Sequence, residues 1–380
     1  MEEQNMSQNT PPAFDENKFR QQFEEERKKY AVKKVNILLC GYTGSGKSSL
    51  ARAILGDVVP ESAIGTGAPK TMGYEKYEND LVCIWDSKGL ETGETEEEFM
   101  QATQDFIRKQ QENPNVDNHI HLFWYTIQGP GARVTDCDKH LMTKIFNPNH
   151  IFVLLTKADA MRGPQKQAMK DELIKAGIRE SRIFFTTDAQ GGALGCKELM
   201  EASLKELPEA YRDAFIQAQI LDVEKKIQAV KAKAGKARAI IATAASAAAA
   251  AGGLNPFPLS DAALITPIQL TMLASLAAVY GFAWEKFKPA IFPFILQSAG
   301  KAAATSLLKL IPGLGHIVNA GVAASLTWGV GLFMKNYMEK CTINRIEGKT
   351  EPEFVLNSEI FQEYLEMGKK ERQIQQENQG

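Results

Sequence analysis

The sequence predicts an α/β fold, a doubly wound and mostly parallel sheet, followed by a C-terminal all-α hydrophobic helical domain. Three observations carry this. Short apolar runs alternate with segments of helical period between residues 34 and 205. Those runs are continuously apolar rather than alternating, as expected of strands covered by helices on both faces. Beyond about residue 238 the composition shifts, and 239–334 is dominated by Ala, Leu, Ile, Gly and Phe with few charges.

Taken in order, residues 1–13 are polar, contain Pro11-Pro12 and read as a disordered N-terminus. A charged helix is expected over 14–33, from about Asp15 to Lys33, with Phe19, Phe23 and Tyr30 on one side. The α/β domain is placed at 34–205. "VNILLC" (35–40) is its first strand, and a helix follows over 46–55. "YEKYEN" (74–79) reads as an edge strand and "LVCIWD" (81–86) as a buried one. A helix over Thr95–Gln111 carries Phe99, Phe106 and Ile107 at helical spacing. Strands "HIHLFWYTI" (119–127), "HIFVLLT" (150–156) and "RIFFTT" (182–187) follow, separated by helices near 135–146 and 165–176. His119 and His121 fall within the first of these and read as packing or edge residues. A long helix starts near Cys196, and 206–238 reads as a basic connecting helix.

Bulk properties narrow the function. The 380 residues carry a net charge of −2, so no global basic field points to nucleic acid, and no nucleic-acid partner is predicted. The five cysteines are scattered with no CxxC pair. They fit reduced thiols in the cytoplasm better than a disulfide framework or a zinc site. The first thirty residues hold no apolar core of a secretory signal.

The stretch "CGYTGSGKSS" (40–49) carries the chemistry. Gly41 to Ser48 fits G-x-x-x-x-G-K-[ST], and it lies between an apolar strand and a helix. Small residues let successive backbone N–H groups turn inward and cradle a β-phosphate at the positive end of the helix. Lys47 would reach the β- and γ-phosphates, and the Ser48 hydroxyl would ligate Mg²⁺. The candidate nucleotide-binding set is therefore Gly41, Tyr42, Thr43, Gly44, Ser45, Gly46, Lys47, Ser48 and Ser49. The plain alternative, a flexible glycine turn, does not account for the strand–loop–helix context. Two short motifs end later strands. Asp86-Ser87-Lys88-Gly89 matches D-x-x-G, where Asp86 would hold Mg²⁺ through water and the Gly89 amide would meet the γ-phosphate. Thr156-Lys157-Ala158-Asp159 matches [NT]-K-x-D. The Asp159 carboxylate can accept from guanine N1–H and the N2 amine, while the Lys157 stem packs on the base.

With these three motifs in order, residues 34–205 resemble the Era-like and septin-like branches of the translation-factor-related GTPases. The resemblance implies a P-loop GTPase domain that binds GTP or GDP with Mg²⁺. It also implies a switch I threonine in "IGTGAPKT", Thr71 rather than Thr66, as a further metal ligand. Lys47, Thr71 and Gly89 become the candidate catalytic residues, and Ser48, Thr71 and Asp86 the metal ligands. "TTDAQ" stands where a guanine loop is expected, which makes Asp188 and Ala189 base contacts. Leu90 occupies the position where many relatives carry a water-orienting glutamine, and an aliphatic side chain cannot hydrogen-bond water. Slow hydrolysis would then need Thr43, Arg133, a second copy of the chain or an activating protein.

The C-terminal half leaves two readings open, a membrane-inserted or membrane-attached domain and a packed helical one. Residues 262–284 lack charge, and 310–334 has only His316, both long enough to span a bilayer. Thr266-Pro267-Ile268-Gln269, however, has the form of a helix start, which leaves a short helix from Pro267 to about Ala283. "IPGLG" (311–315) breaks the later run, so its helix is expected to begin near His316. Gly321, Ser325 and Gly329 put small side chains on one face for close backbone approach. "KKIQAVKAKAGKAR" (225–238) is basic throughout and suits anionic lipid headgroups, or else a solvated face with Val223, Ile227 and Val230 buried. The segment from about 238 to 340 resembles an uncharacterised all-α domain found behind bacterial Era-like GTPase domains. Residues 345–380 read as a charged tail with a short helix in "PEFVLNSEIFQEYLEM". The leading expectation is a GTP-controlled switch for this helical domain. A non-hydrolysing GTP sensor or membrane scaffold is the alternative, and an ATP-dependent enzyme a lesser one.

Overall fold

The computed structural model describes residues 15–64, 74–87, 95–130, 133–187, 194–253, 261–289, 320–355 and 358–377. The chain divides into two compact units. One is Val32–Lys226; the other joins Met1–Ala31 to Ile227–Gly380.

The first unit is a six-stranded, mostly parallel sheet with flanking helices. Its elements run β1 (Val35–Gly41), α2 (Lys47–Leu55), β2 (Tyr74–Glu78), β3 (Val82–Ser87), α3 (Glu96–Gln111), β4 (Leu122–Gln128), α4 (Asp136–His140), β5 (Ile151–Thr156), α5 (Gly163–Lys175), β6 (Ile183–Phe185), α6 (Cys196–Glu206) and α7 (Glu209–Ala218). The strand order is β2-β3-β1-β4-β5-β6, and only β2 is antiparallel. Every residue of β1 is buried, as continuous apolar strands require when helices cover both faces. Val35, Ile37 and Leu39 pack on one side with Leu50 and Ile54 of α2 and Phe215 of α7. Leu38 and Cys40 pack on the other with Phe99 of α3, Leu141 and Leu173 of α5.

Parallel register brings four strand ends together. Leu39 lies opposite Asp86, Gly41 opposite Thr126, and Gln128 opposite Thr156. The candidate motifs therefore share the carboxyl edge of the sheet, where ligands bind in open α/β folds.

Several elements differ from the sequence expectation. His119 caps a short 3-10 turn and His121 immediately precedes β4, so neither lies within the strand. α4 passes into a π-turn at Leu141–Ile145, closed by the Phe146 amide on the Leu141 carbonyl at 2.8 Å. The long helix from Cys196 ends at Glu206, because Pro208 cannot continue it, and α7 begins directly after. Where one basic helix was expected, the chain makes α7, then α8 (Val223–Ala232) and α9 (Ala234–Gly253).

The second unit is helical. α1 (Glu16–Tyr30), α9, α10 (Asp261–Val279), α11 (Ala320–Ile346), α12 (Ser358–Glu377) and a further helical segment at 284–289 share one apolar core, α1 packing on α10. The Asp15 side chain caps α1 by accepting from the Lys18 amide. Phe23 of α1 is fully buried, 4.7 Å from the Phe287 ring and 5.4 Å from Trp284. Glu26 is buried beside it and accepts from Ser275 of α10 at 2.8 Å.

α10 corrects the expected helix start. The chain is already helical from Asp261 and runs through Pro267. The buried Gln269 amide donates to Thr327 of α11 at 3.1 Å, a tertiary contact inside the helix. The small face of α11 meets α12, not solvent: a Cβ on Gly329 would stand 3.2 Å from the backbone of Leu365, and one on Gly368 3.1 Å from the Gly329 nitrogen. α12 is longer than the short helix expected in the tail. Among the described residues no helix is long and apolar enough to cross a membrane. The expected helix start at His316 lies outside the described residues.

Candidate nucleotide-binding site

β1 ends at Gly41, the loop takes left-handed turns at Gly44 and Gly46, and α2 starts at Lys47. Gly41 has φ +143°, and a Cβ there would collide with the Thr126 carbonyl and hydroxyl. Only glycine admits both the angle and the neighbour.

Side chains from the ends of β4 and β5 pin the loop. The Ser45 hydroxyl meets Thr126 Oγ1 at 2.6 Å, and Thr156 Oγ1 donates to the Ser45 carbonyl at 2.6 Å. Lys157 Nζ donates to the Gly44 carbonyl at 3.3 Å. Tyr42 extends sideways to Thr135 and Glu96. Thr126 was not singled out from sequence; its place at the carboxyl end of an apolar strand was the available signal.

Lys47 is buried and donates to the carbonyls of Gly41 and Tyr42, each at 3.1 Å. Ser48 Oγ donates to Asp86 Oδ2 at 2.6 Å. Burial pushes the Lys47 ammonium down and the Asp86 carboxyl up from their ordinary values. Each partly holds the other's charge, and the Ser48 hydrogen bond also favours the Asp86 carboxylate. Asp86 Oδ1 is buried without a hydrogen-bond partner. A buried ammonium and a buried carboxylate with a spare oxygen are the groups that a polyanion and a dication would satisfy.

The Thr156–Asp159 segment stands beside this loop. Lys157 is in the left-handed region at φ 53°, which the described chain shows at no other non-glycine residue. Gly46, Leu50, Thr156, Lys157, Thr186 and Thr187 line a shallow pocket. The Ala158 amide donates to the Thr186 carbonyl at 3.1 Å, tying β5's exit to β6's. Asp159 is exposed in the 3-10 turn that follows. Thr43 and Gly44 are exposed, Ser49 half-buried and Arg133 exposed. Thr71, Gly89, Leu90, Asp188 and Ala189 lie outside the described residues.

A central strand, a glycine loop around a lysine and a helix, set in a mostly parallel sheet, make this a P-loop α/β fold. No family model matches the chain, and no curated protein matches it. Among solved structures, a dimerization-deficient mutant of Toc33 from Arabidopsis thaliana is similar at 15% identity, covering 52% of this chain and 91% of that one, with a TM-score of 0.34. Era from Aquifex aeolicus bound to GDP·AlF₄⁻ is similar at 18% identity, covering 47% of this chain and 58% of that one, with a TM-score of 0.34. A probable GTP-binding protein EngB matches at 13% identity over 45% of this chain and 98% of its own, with a TM-score of 0.32.

Proposed function

We propose that the chain binds guanine nucleotide with Mg²⁺ and acts as a nucleotide-controlled switch for its helical unit. The observation that carries this is the Lys157–Gly44 contact. It sets the [NT]-K-x-D turn directly against the phosphate loop, so that one bound nucleotide could touch both. Main-chain amides of 43–48 would hold the phosphates. Lys47 would exchange the two carbonyls it now grips for phosphate oxygens.

The donors fit Mg²⁺: a hydroxyl and a carboxylate, hard oxygen ligands, with one carboxylate oxygen otherwise unpartnered. Ser48 and Asp86 would hold the ion, which when bound neutralises phosphate charge. Thr71 is proposed as a further ligand, and Asp188 and Ala189 as further base contacts, on the sequence resemblance alone.

Asp159→Asn is the test. The amide presents a donor where guanine also presents one, so affinity should pass from GTP to xanthosine triphosphate in calorimetric titration. Unchanged GTP affinity overturns the guanine assignment, and unchanged affinity in Lys47→Ala overturns the phosphate loop.

A non-hydrolysing sensor is the second reading, favoured by Leu90. Phosphate release in single turnover at high protein concentration separates the two. Attachment of the helical unit to anionic lipid is supported by exposed Lys231, Lys236 and Arg238. Carbonate-washed fractionation with GTP and with GDP tests it.

A further inference from the structure

We propose that Tyr42 is a positioning residue: its hydroxyl registers the phosphate loop against α3 and α4, and so sets how fast a bound nucleotide leaves. This rests on the nucleotide reading above.

Tyr42 occupies a variable position of the glycine motif, where the chemistry asks only for a backbone amide. Its half-buried side chain nevertheless reaches two other helices. The hydroxyl lies 3.3 Å from Glu96 Oε1, in the first turn of α3, and 3.1 Å from Thr135 Oγ1, the N-cap of α4. Thr135 in turn is 2.8 Å from Asp138 Oδ2, and Tyr125 donates to Asp138 Oδ1 at 2.6 Å.

Hydroxyl protons are too few for these contacts. Tyr42 brings one and Thr135 brings one, against three oxygen–oxygen contacts: Tyr42–Glu96, Tyr42–Thr135 and Thr135–Asp138. If Thr135 donates to Asp138 and Tyr42 to Thr135, Glu96 loses its donor. If Thr135 turns to Tyr42, the tyrosine proton is free for Glu96. Asp138 then keeps the Thr135 amide at 2.8 Å and the Tyr125 hydroxyl. If both hydroxyls donate to carboxylates, Tyr42 is held to Glu96 and its contact with Thr135 has no proton, so the network holds the loop to α4 in two of three arrangements and to α3 in two of three.

The same residue's carbonyl is one of the two that grip Lys47. When Lys47 turns toward phosphate, the Tyr42 peptide loses that charge, and the hydroxyl bridge is what keeps the loop in register. Ser45 and Gly44 are anchored to strand ends and to Lys157; Tyr42 anchors the opposite flank.

The experiment is stopped-flow release of N-methylanthraniloyl-GDP from the full chain. Tyr42→Phe keeps the ring and removes the hydroxyl, and should release about three- to tenfold faster, the range of one net hydrogen bond. Thr135→Ser keeps the hydroxyl and should stay within about twofold of wild type. In a Thr135→Val background, Tyr42→Phe should add less than its full effect, because only the Glu96 contact is left to lose. Release by Tyr42→Phe within about twofold of wild type, or full multiplication of the two effects, overturns the proposal. Loss of binding in Lys47→Ala with an unchanged Tyr42→Phe leaves the nucleotide reading standing and removes this inference alone. If the wild-type chain does not bind the probe, both fall.

Discussion

The Ser48 hydroxyl at the start of α2 and the Asp86 carboxylate at the end of β3 stand 2.6 Å apart, and the second Asp86 oxygen is buried without a partner. Thirty-eight residues of chain separate them, so the sheet, not local sequence, makes the pair.

Asp86→Asn is nearly isosteric and keeps an acceptor for Ser48, but it removes the charge that a dication needs. Mg-GTP affinity should fall by about ten- to a hundredfold, the worth of a charge-assisted contact. Affinity for GTP in excess chelator should change far less. Isothermal titration in both conditions checks the difference, and equal losses would mean Asp86 acts on folding.

The α11–α12 crossing depends on two glycines. A Cβ on Gly368 would stand 3.1 Å from the Gly329 nitrogen, 3.3 Å from the Ser325 carbonyl and 3.3 Å from Trp328 Cβ. Gly368→Val should therefore destabilise the helical unit by about 1–3 kcal/mol through overpacking. Gly368→Ala should cost less, because better helix propensity offsets part of the crowding. Thermal melts of the two variants give the ordering, and a valine variant as stable as wild type would rule out a tight crossing.

His121 predicts a pH dependence. Its Nδ1 accepts the Asn36 amide at 2.9 Å, and burial lowers its pKa from 6.5 to about 4, against the raising effect of Asp117. The folded state binds this proton later than the unfolded chain does. Stability is therefore retained above pH 6.5 and lost as pH falls from 6.5 toward 4. His119, Lys33, Asp117 and Tyr211 are its neighbours. His121→Asn keeps an acceptor for Asn36 and cannot protonate, so urea midpoints across this range should flatten. An unchanged slope would assign the dependence to other groups.

The sheet was largely readable from the sequence because its strands are unbroken apolar runs. The antiparallel edge β2 coincides with the edge strand read at "YEKYEN". The loop was readable because Gly41, Gly44 and Gly46 mark a backbone that side chains would obstruct. What escaped was set by distant contacts. Tyr42 finds partners 54 and 93 residues away, and no local pattern points to either. At Thr266–Gln269 the local capping signal was present, but the helix already runs from Asp261 through Pro267. The π-turn after α4 has no sequence signature that separates it from an ordinary helix.

α1 supplies Phe19 and Phe23 to a core otherwise built from residues beyond 226. A fragment that begins at Ile227 would therefore leave the Trp284 and Phe287 rings bare, and poor solubility of such a piece would say nothing about lipid. Isolating this body calls for stitching its first helix to α8 through a synthetic spacer, with the intervening residues excised.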